Sequence, residues 1–314
     1  MSFLSTAVQD ALDRGQFCAV ATMTPRGPHC TPLVFASSGA RLWLTTSRRS
    51  VKARAWRSDP SVAGLVRSEE LAVTFTGTVR TYDALDRRTW AAAVAGVTSI
   101  ARATATFSAK NARFFAGYAL DAKQVPLAWT PPGRVFVGVD LERTALVDAH
   151  GVQEGRGRWG GEAGSHASFR RTASADPLEQ LPAEIADGIG RAGEGALAIA
   201  GERGLVVLPV RWRADGGWLY AVLPSETLAI AGAGPDASVA LMLDRASVWR
   251  ARDMVGAMFQ GEASFFLDGV VGSGATSLRK IVGADAPPGA ALVRVRPNRV
   301  VWWKGWSSGS ATIA

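Results

Sequence analysis

The sequence predicts a mainly β protein made of two copies of one small antiparallel barrel, each with a few helices, facing each other within one chain. The first observation behind this is an internal repeat. Adding 177 to a position carries Pro32 to Pro209, Trp43 to Tyr220, Ser50 to Thr227, Asp59 to Asp236 and Val62 to Val239, so that residues 15–66 recur as 192–243. The second is a pair of further anchors. Phe75-Thr76-Gly77 matches Phe259-Gln260-Gly261 at an offset of 184, and Val139 with Arg143 matches Val295 with Arg299 at 156, which places insertions between conserved strands. The third is a succession of short β-rich runs divided by turn residues. Two copies of this length are too few and too long for a solenoid, and a fused pair of domains fits better. A chain of 314 residues has room for two such units, each with its own core.

Residues 7–15 place Val8 and Leu12 at helical spacing and end at Gly15, a suitable cap, which predicts a short opening helix. Runs at 17–23, 30–36 and 41–46, separated by Pro25-Arg26-Gly27-Pro28 and Ser37-Ser38-Gly39, form a meander. Residues 50–57 are helical and stop before Asp59-Pro60, where proline disfavours the helical conformation of its predecessor. Strands follow at 61–67 and 71–82. An Ala-rich insert near 85–122 spaces Trp90, Val94, Val97, Phe114 and Phe115 for helices packed on a sheet, with a shorter counterpart after Gly261. Strands at 135–141 and 144–148 close the first unit. A stretch rich in Gly, Arg and Ser at 150–175 is the expected linker. The plan is therefore a first domain at 1–149, the linker, and a second domain at 176–314, each a small barrel.

Composition narrows the function. With 47% hydrophobic and 20% charged residues and no apolar run long enough for a bilayer, no membrane association is expected. The start, Met1-Ser2-Phe3-Leu4-Ser5-Thr6, lacks a basic segment and a long apolar core, so the expected location is cytoplasmic. Cys18 and Cys30 lie on two arms of one hairpin, whose turn would set Cys18 opposite residues near Phe35. They are expected as free buried thiols. His29 beside Cys30 has no further Cys or His at ligand spacing, so no metal is expected. A net charge of +8 suits an anionic small molecule better than nucleic acid, because the arginines are scattered. The one dense basic stretch runs from Arg48-Arg49 through Lys52, Arg54 and Arg57.

Two motifs carry chemistry. Gly155-Arg156-Gly157-Arg158-Trp159-Gly160 spells the dinucleotide fingerprint, but poor helix formers follow it and it lies between the repeats, so linker is the expectation. The segment from Leu42 to Arg54 reads as a strand, a turn rich in hydroxyls and cations, and a first helical turn. Such a turn offers N–H groups, hydroxyls and fixed charge to one phosphate, the alternative being a solvated basic helix face.

Val20-Ala21-Thr22 with Pro25 and Gly27, Thr31-Pro32, Leu42-Trp43, Thr46 through Arg54, and Asp59-Pro60-Ser61-Val62-Ala63 together resemble the pyridoxamine-5'-phosphate-oxidase-like, flavin-binding split β-barrel family. The resemblance spans residues 15–82 well and the second copy more weakly. It implies two fused split barrels forming an internal pseudo-dimer, with FMN, or alternatively the deazaflavin coenzyme F-420, held between barrels. Arg48, Ser50 and Lys52 would hold the cofactor phosphate, Thr46 would assist, and Thr31, Pro32, Leu33 and Val34 would lie along the ring. The family's Asn-Leu after the basic motif is Ala55-Trp56 here, which alters local ring or ribose contacts.

In the second copy Arg48, Ser50 and Lys52 become Ser225, Thr227 and Ala229, so its phosphate site is expected to be lost. Its closing segment, Pro297 to Gly305, resembles the family's last strand. In dimeric relatives that strand completes the partner's site. One composite site per chain follows, with Trp302, Trp303 and Lys304 closing over the phosphate loop of the first copy. Core packing is the alternative role for the two tryptophans.

No nucleophile–His–acid arrangement is visible and no catalytic residue is assigned, so the cofactor would carry the chemistry. The leading expectation is an oxidoreductase passing hydride from reduced FMN or deazaflavin to a small organic substrate. The alternatives are a non-catalytic carrier of flavin, deazaflavin or haem, and a scaffold with no ligand. Pyridoxine-phosphate oxidation is not expected, because the C-terminal basic and aromatic residues of that activity have no match at 307–314. The internal pair allows a monomer, and a homodimer of such pairs is the other possibility.

Overall fold

A computed structural model describes residues 4–121, 123–126, 130, 133–161, 163–164, 175–245, 250–267 and 289–313. In the first half, β1 (Phe17–Thr24), β2 (Gly27–Ser38), β3 (Arg41–Ser47), β4 (Ser61–Ser68), β5 (Leu71–Tyr82) and β6 (Arg134–Val147) pair in the order β3-β2-β1-β4-β5-β6. Pairing of β3 with β6 closes the barrel at six strands, and β7 (Val152–Arg156) adds to β6 outside it. The second half repeats this with β8 (Ala192–Gly201), β9 (Gly204–Asp215), β10 (Trp218–Pro224), β11 (Ala237–Arg245), β12 (Val255–Phe266) and β13 (Ala290–Lys304). There β10 closes on β13, and β14 (Ser307–Thr312) adds outside. The protein is two closed six-stranded barrels in tandem.

The three sequence offsets are properties of the strands. At 177, β2 maps onto β9 and β3 onto β10 end to end; at 184, β5 maps onto β12. The offset of 156 is fixed by a shared bulge. Pairing of β5 with β6 slips between Thr76 and Gly77, and pairing of β12 with β13 slips between Gln260 and Gly261. At each bulge an arginine of the facing strand donates to the residue before the glycine, Arg143 Nε to Thr76 Oγ1 at 2.8 Å and Arg299 Nη1 to Gln260 Oε1 at 3.0 Å. Only glycine fits there: a Cβ would come within 2.2 Å of the Asp140 carbonyl oxygen at Gly77 and 2.0 Å of the Arg296 carbonyl oxygen at Gly261.

The barrels face each other through equivalent surfaces. Thr74 Oγ1 donates to the Val207 carbonyl at 2.7 Å, and the Cys30 N–H points at Met258 Sδ at 3.0 Å. Position 74 corresponds to 258 and 207 to 30, so these are one contact seen from both sides of a pseudo-twofold axis, the mark of an isologous interface. One cluster, with Val20, Phe35, Leu44, Phe75 and Val139, fills the first barrel. Another fills the second and runs across the interface through Ala21, Cys30, Leu65, Met242 and Met258. Both cysteines are free and buried, and burial pushes the Cys30 thiol up to about 12.

The helices are α1 (Thr6–Arg14), α2 (Val51–Ala55), α3 (Trp90–Ala95), α4 (Val97–Lys110), α5 (Ala112–Leu120), α6 (Ala183–Ile189) and α7 (Ser225–Ala229). None among the described residues is long and apolar enough to cross a membrane.

Local expectations change in five places, the first being that the strands expected at 135–141 and 144–148 form one continuous strand, β6. Gly15 ends α1 in an extended conformation, and its missing side chain admits Val66 instead of supplying a left-handed cap. Cys18 lies opposite Leu33, because the hairpin turn is only Pro25-Arg26. In the insert Phe114 is buried, whereas Trp90, Val94 and Val97 are exposed and the packing residues are Ala103 and Phe107. The expected linker begins with β7. After it the last fingerprint residues form a strap against the second barrel, with the Gly160 N–H donating to the Ile230 carbonyl at 2.9 Å and Trp159 under the Arg143 guanidinium. The rest of the linker at 165–174, and the counterpart of the insert at 268–288, lie outside the described residues.

Candidate functional site

The basic turn after β3 is built by its own hydrogen bonds. Ser50 stands at the N-cap of α2 with extended backbone, and its Oγ accepts from the Ala53 N–H at 3.1 Å, the usual reason for serine there. Thr46 Oγ1 donates to the same Ser50 oxygen at 3.1 Å. The Arg48 N–H donates to the Gly133 carbonyl at 2.9 Å, tying the turn to the start of β6. The Arg48 guanidinium grips Asp83 with two contacts of 2.7 Å. Asp83 is buried, and this pair holds its carboxyl below the ordinary range. Since Asp83 also accepts from the Leu85 N–H, Arg48 fastens the start of the insert to the turn.

Lys52 lies on α2, one helical turn away, with only 4% of its surface exposed. Its Nζ donates to Thr31 Oγ1 on β2, and among the described residues no carboxylate pairs with it. Burial lowers it to about 8, and the nearby positive charge of Arg134 acts in the same direction. Arg134 opens β6, where its Nε donates to Thr45 Oγ1 at 2.8 Å and its Nη2 to the Thr45 carbonyl at 2.7 Å.

Arg134 and Thr45 form the polar end of a cavity of about 560 Å³ between the outside of β2, β3 and β6 and the underside of α4 and α5. Five aromatic side chains line it, Phe107, Phe114, Phe115, Tyr118 and Phe136. Phe136 stacks on Trp43 with centroids 5.1 Å apart and meets Phe107 edge-on at 5.8 Å, so this wall is rigid. The second barrel clasps the lid. Trp306, in the turn between β13 and β14, meets Tyr118 of α5 edge-on at 5.0 Å, and Arg250 contacts the buried Asp121 just beyond α5 at 2.5 Å.

The residues singled out from sequence divide accordingly. Thr46, Arg48, Ser50, Lys52 and Thr31 converge at the turn. Along β2 the side chains alternate: Thr31 meets Lys52, Leu33 joins the interior of the first barrel, Pro32 faces the interface, and Val34 alone of the four lines the cavity. Trp302 and Trp303 are placed with the second barrel, packed over Gly309 and Gly256 respectively, and Lys304 pairs with Glu184 at 2.5 Å. The aromatic side chain that the second barrel carries to the lid is Trp306. Sequence reasoning also passed over Asp83, Arg134 and Tyr118, each distant in the chain and without a local pattern.

Residues 4–125 match the family model for pyridoxamine 5'-phosphate oxidase. The first barrel is a pyridoxamine-5'-phosphate-oxidase-like split barrel, and the second repeats it. No curated protein matches the chain. Among solved structures, it is similar to a conserved hypothetical protein from Mycobacterium tuberculosis, at 23% identity over 46% of this chain and 85% of that one, TM-score 0.33. It is similar to a pyridoxamine 5'-phosphate oxidase-related, FMN binding protein from Nostoc punctiforme PCC 73102, at 18% identity over 46% and 85%, TM-score 0.33. A FAD-binding protein from Mesorhizobium loti shares 17% identity over 46% and 95%, TM-score 0.33. Each of these neighbours aligns with less than half of the tandem chain.

Proposed function

We propose that the first barrel binds a phosphorylated flavin-type cofactor, FMN before deazaflavin, and that the protein is an oxidoreductase acting on a small organic substrate. The observation that carries this reading is Lys52, a buried ammonium with a hydroxyl partner and no carboxylate among the described residues, within electrostatic reach of Arg134, which itself lines the cavity. Burying a cation without an anion is unfavourable, and a phosphate brought beside Lys52 and Arg134 would offset that penalty. The cavity volume lies within the range of small-molecule sites, and flat aromatic walls suit a planar ring. The donor set therefore fits the group.

Each residue has a distinct part. Lys52 holds the phosphate charge. Thr31 orients the Lys52 ammonium, and Ser50 with Thr46 keeps the turn open by capping α2. Arg48, committed to Asp83, contributes field and anchors the insert. Phe107, Phe114 and Tyr118 exclude water from the ring, and Trp306 with the Asp121–Arg250 pair keeps the lid down. When bound, the reduced cofactor supplies a hydride, and the protein contributes binding and orientation. One site per chain is supported by the second copy, where the positions of Arg48, Lys52 and Arg134 hold Ser225, Ala229 and Ala290.

The test is an absorption spectrum of the purified protein with mass analysis of the compound released on denaturation, followed by a substrate-dependent reoxidation assay. About one flavin or deazaflavin per chain with turnover is expected. Binding without turnover for any acceptor would leave a carrier, and a protein that takes up no cofactor would overturn the reading.

A further inference from the structure

A second cavity, of about 210 Å³, lies between the barrels. The equivalent strands β4 and β11 each send two side chains into it, Leu65 and Arg67 from one, Met242 and Asp244 from the other. Both pairs are related by the offset of 177, so the cavity sets a residue and its own counterpart on a common wall. In a symmetric pair of identical barrels, arginine would meet arginine, or aspartate would meet aspartate. Fusion has allowed the two copies to diverge, and the cavity now has a positive and a negative side.

The two charges share the cavity without touching. Arg67 Nη2 is buried with no hydrogen-bond partner, and the side chain of neither Arg67 nor Asp244 forms an ion pair or hydrogen bond with any described residue. Burial pushes the Asp244 carboxyl up while Arg67 pulls it down, which places the groups within electrostatic reach across the space. The remaining wall comes from the apolar Phe17, Ala19 and Pro32 and from the polar side chain of Gln16. Phe17 meets Phe114 edge-on at 6.0 Å, so one layer of aromatic rings separates this space from the larger cavity.

We propose that the inter-barrel cavity is a binding site for a small ring-bearing carboxamide, whose carbonyl accepts from Arg67 and whose N–H donates to Asp244. An unsatisfied donor facing an unsatisfied acceptor matches a group that presents both. Charge balance selects a neutral ligand. A carboxylate would add a second negative charge beside Asp244, and a cation a second positive charge beside Arg67. A hydrocarbon would leave both groups without partners, and the apolar part of the wall suits the ring that bears the amide. The site is independent of the proposed cofactor site and is testable without any cofactor.

Calorimetric titration of the full chain with benzamide, benzoate and toluene tests this. Saturable benzamide binding at one per chain is expected, with the other two probes weaker by about tenfold or more. R67Q and D244N should each weaken benzamide by about tenfold, and the exchanged variant R67D/D244R should recover it to within about threefold, because the positions are equivalent and the amide need only turn round. Absence of saturable benzamide binding would mean a water-filled cavity and overturn the proposal. Equal binding of benzoate or toluene, or unchanged binding in R67Q, would overturn it too. If a variant fails to fold, the comparison of three probes on the unaltered protein still decides.

Discussion

At the turn after the third strand of each barrel the backbone is kept and the charge is not. The Arg48 N–H bonds the Gly133 carbonyl at 2.9 Å, and its counterpart, the Ser225 N–H, bonds the Gly289 carbonyl at 3.0 Å. Around this shared hydrogen bond, Lys52 corresponds to Ala229, Arg134 to Ala290 and Asp83 to Leu267. Three cations, counting Arg48, and the carboxylate that pairs with Arg48 are replaced together, by residues that leave the strands in register. A set replaced as a unit is a set that worked as a unit. The comparison teaches that barrel closure does not need these charges, since the second barrel closes without them.

The largest expected effect breaks that equivalence at Lys52. Lys52→Met should weaken binding of a phosphorylated flavin by about 100-fold or more, the scale of a lost charge-assisted contact, whereas Thr227→Val should leave it unchanged. The same Lys52→Met change should make the cofactor-free protein more stable, by about 1–3 kcal/mol, because a buried cation without an anion is removed. Equilibrium binding and chemical denaturation read the two effects separately. Weaker binding with lower stability would mark Lys52 as a structural residue and leave the two barrels without a functional contrast.

The titration of Lys52 sharpens the point. Its value near 8 in the folded protein lies below that of an exposed lysine, so between about 8 and 10.4 the unfolded chain holds the proton more tightly, and cofactor-free stability rises with pH across that window. Phosphate binding needs the proton and runs the opposite way. Affinity for FMN should fall by up to about tenfold per pH unit above pH 8, until the pKa of the bound form is reached. A flat profile from pH 7 to 9.5 would exclude Lys52 from the contact.

The second barrel's contribution to the first is a clasp. The two-residue turn Glu69-Glu70 between β4 and β5 corresponds to a longer connection between β11 and β12, which brings Arg250 to Asp121. Asp121→Asn should raise the dissociation rate of bound cofactor by about tenfold, roughly the 1–2 kcal/mol that a charged contact of this kind contributes. Stopped-flow release from the variant measures it, and an unchanged rate would make the clasp a packing feature only.

The strand framework was legible because insertions fall in connections while the glycine bulges at Gly77 and Gly261 pin the register. The basic turn of the candidate site was legible for a similar reason: Thr46 through Lys52 is one continuous turn, and Thr31 lies beside a recognisable Pro32. Asp83 and Arg134 are single charges far along the chain, brought to the turn only when β6 closes on β3. The insert misleads because alanine-rich helices offer no unique apolar face, so Trp90, Val94 and Val97 are exposed while Phe107 packs. The closing strand misleads by register: Trp302 and Trp303 pack within their own barrel, and the residue that reaches across follows the turn at Gly305.

The smallest expected effect returns to the shared turn and has opposite signs in the two barrels. Ser50 caps α2, whereas α7 starts directly at Ser225 with no side-chain cap, and the equivalent hydroxyl of Thr227 is fully buried with no partner among the described residues. Ser50→Ala should therefore destabilise the protein by about 1 kcal/mol, the usual worth of an N-cap. Thr227→Val, which removes a hydroxyl that is desolvated and unpaired, should stabilise by about 1 kcal/mol. Urea denaturation of both variants decides between them. Two losses of equal size would show that Thr227 still holds the turn as Ser50 does, and that the second barrel has kept more of the old site than its missing charges suggest.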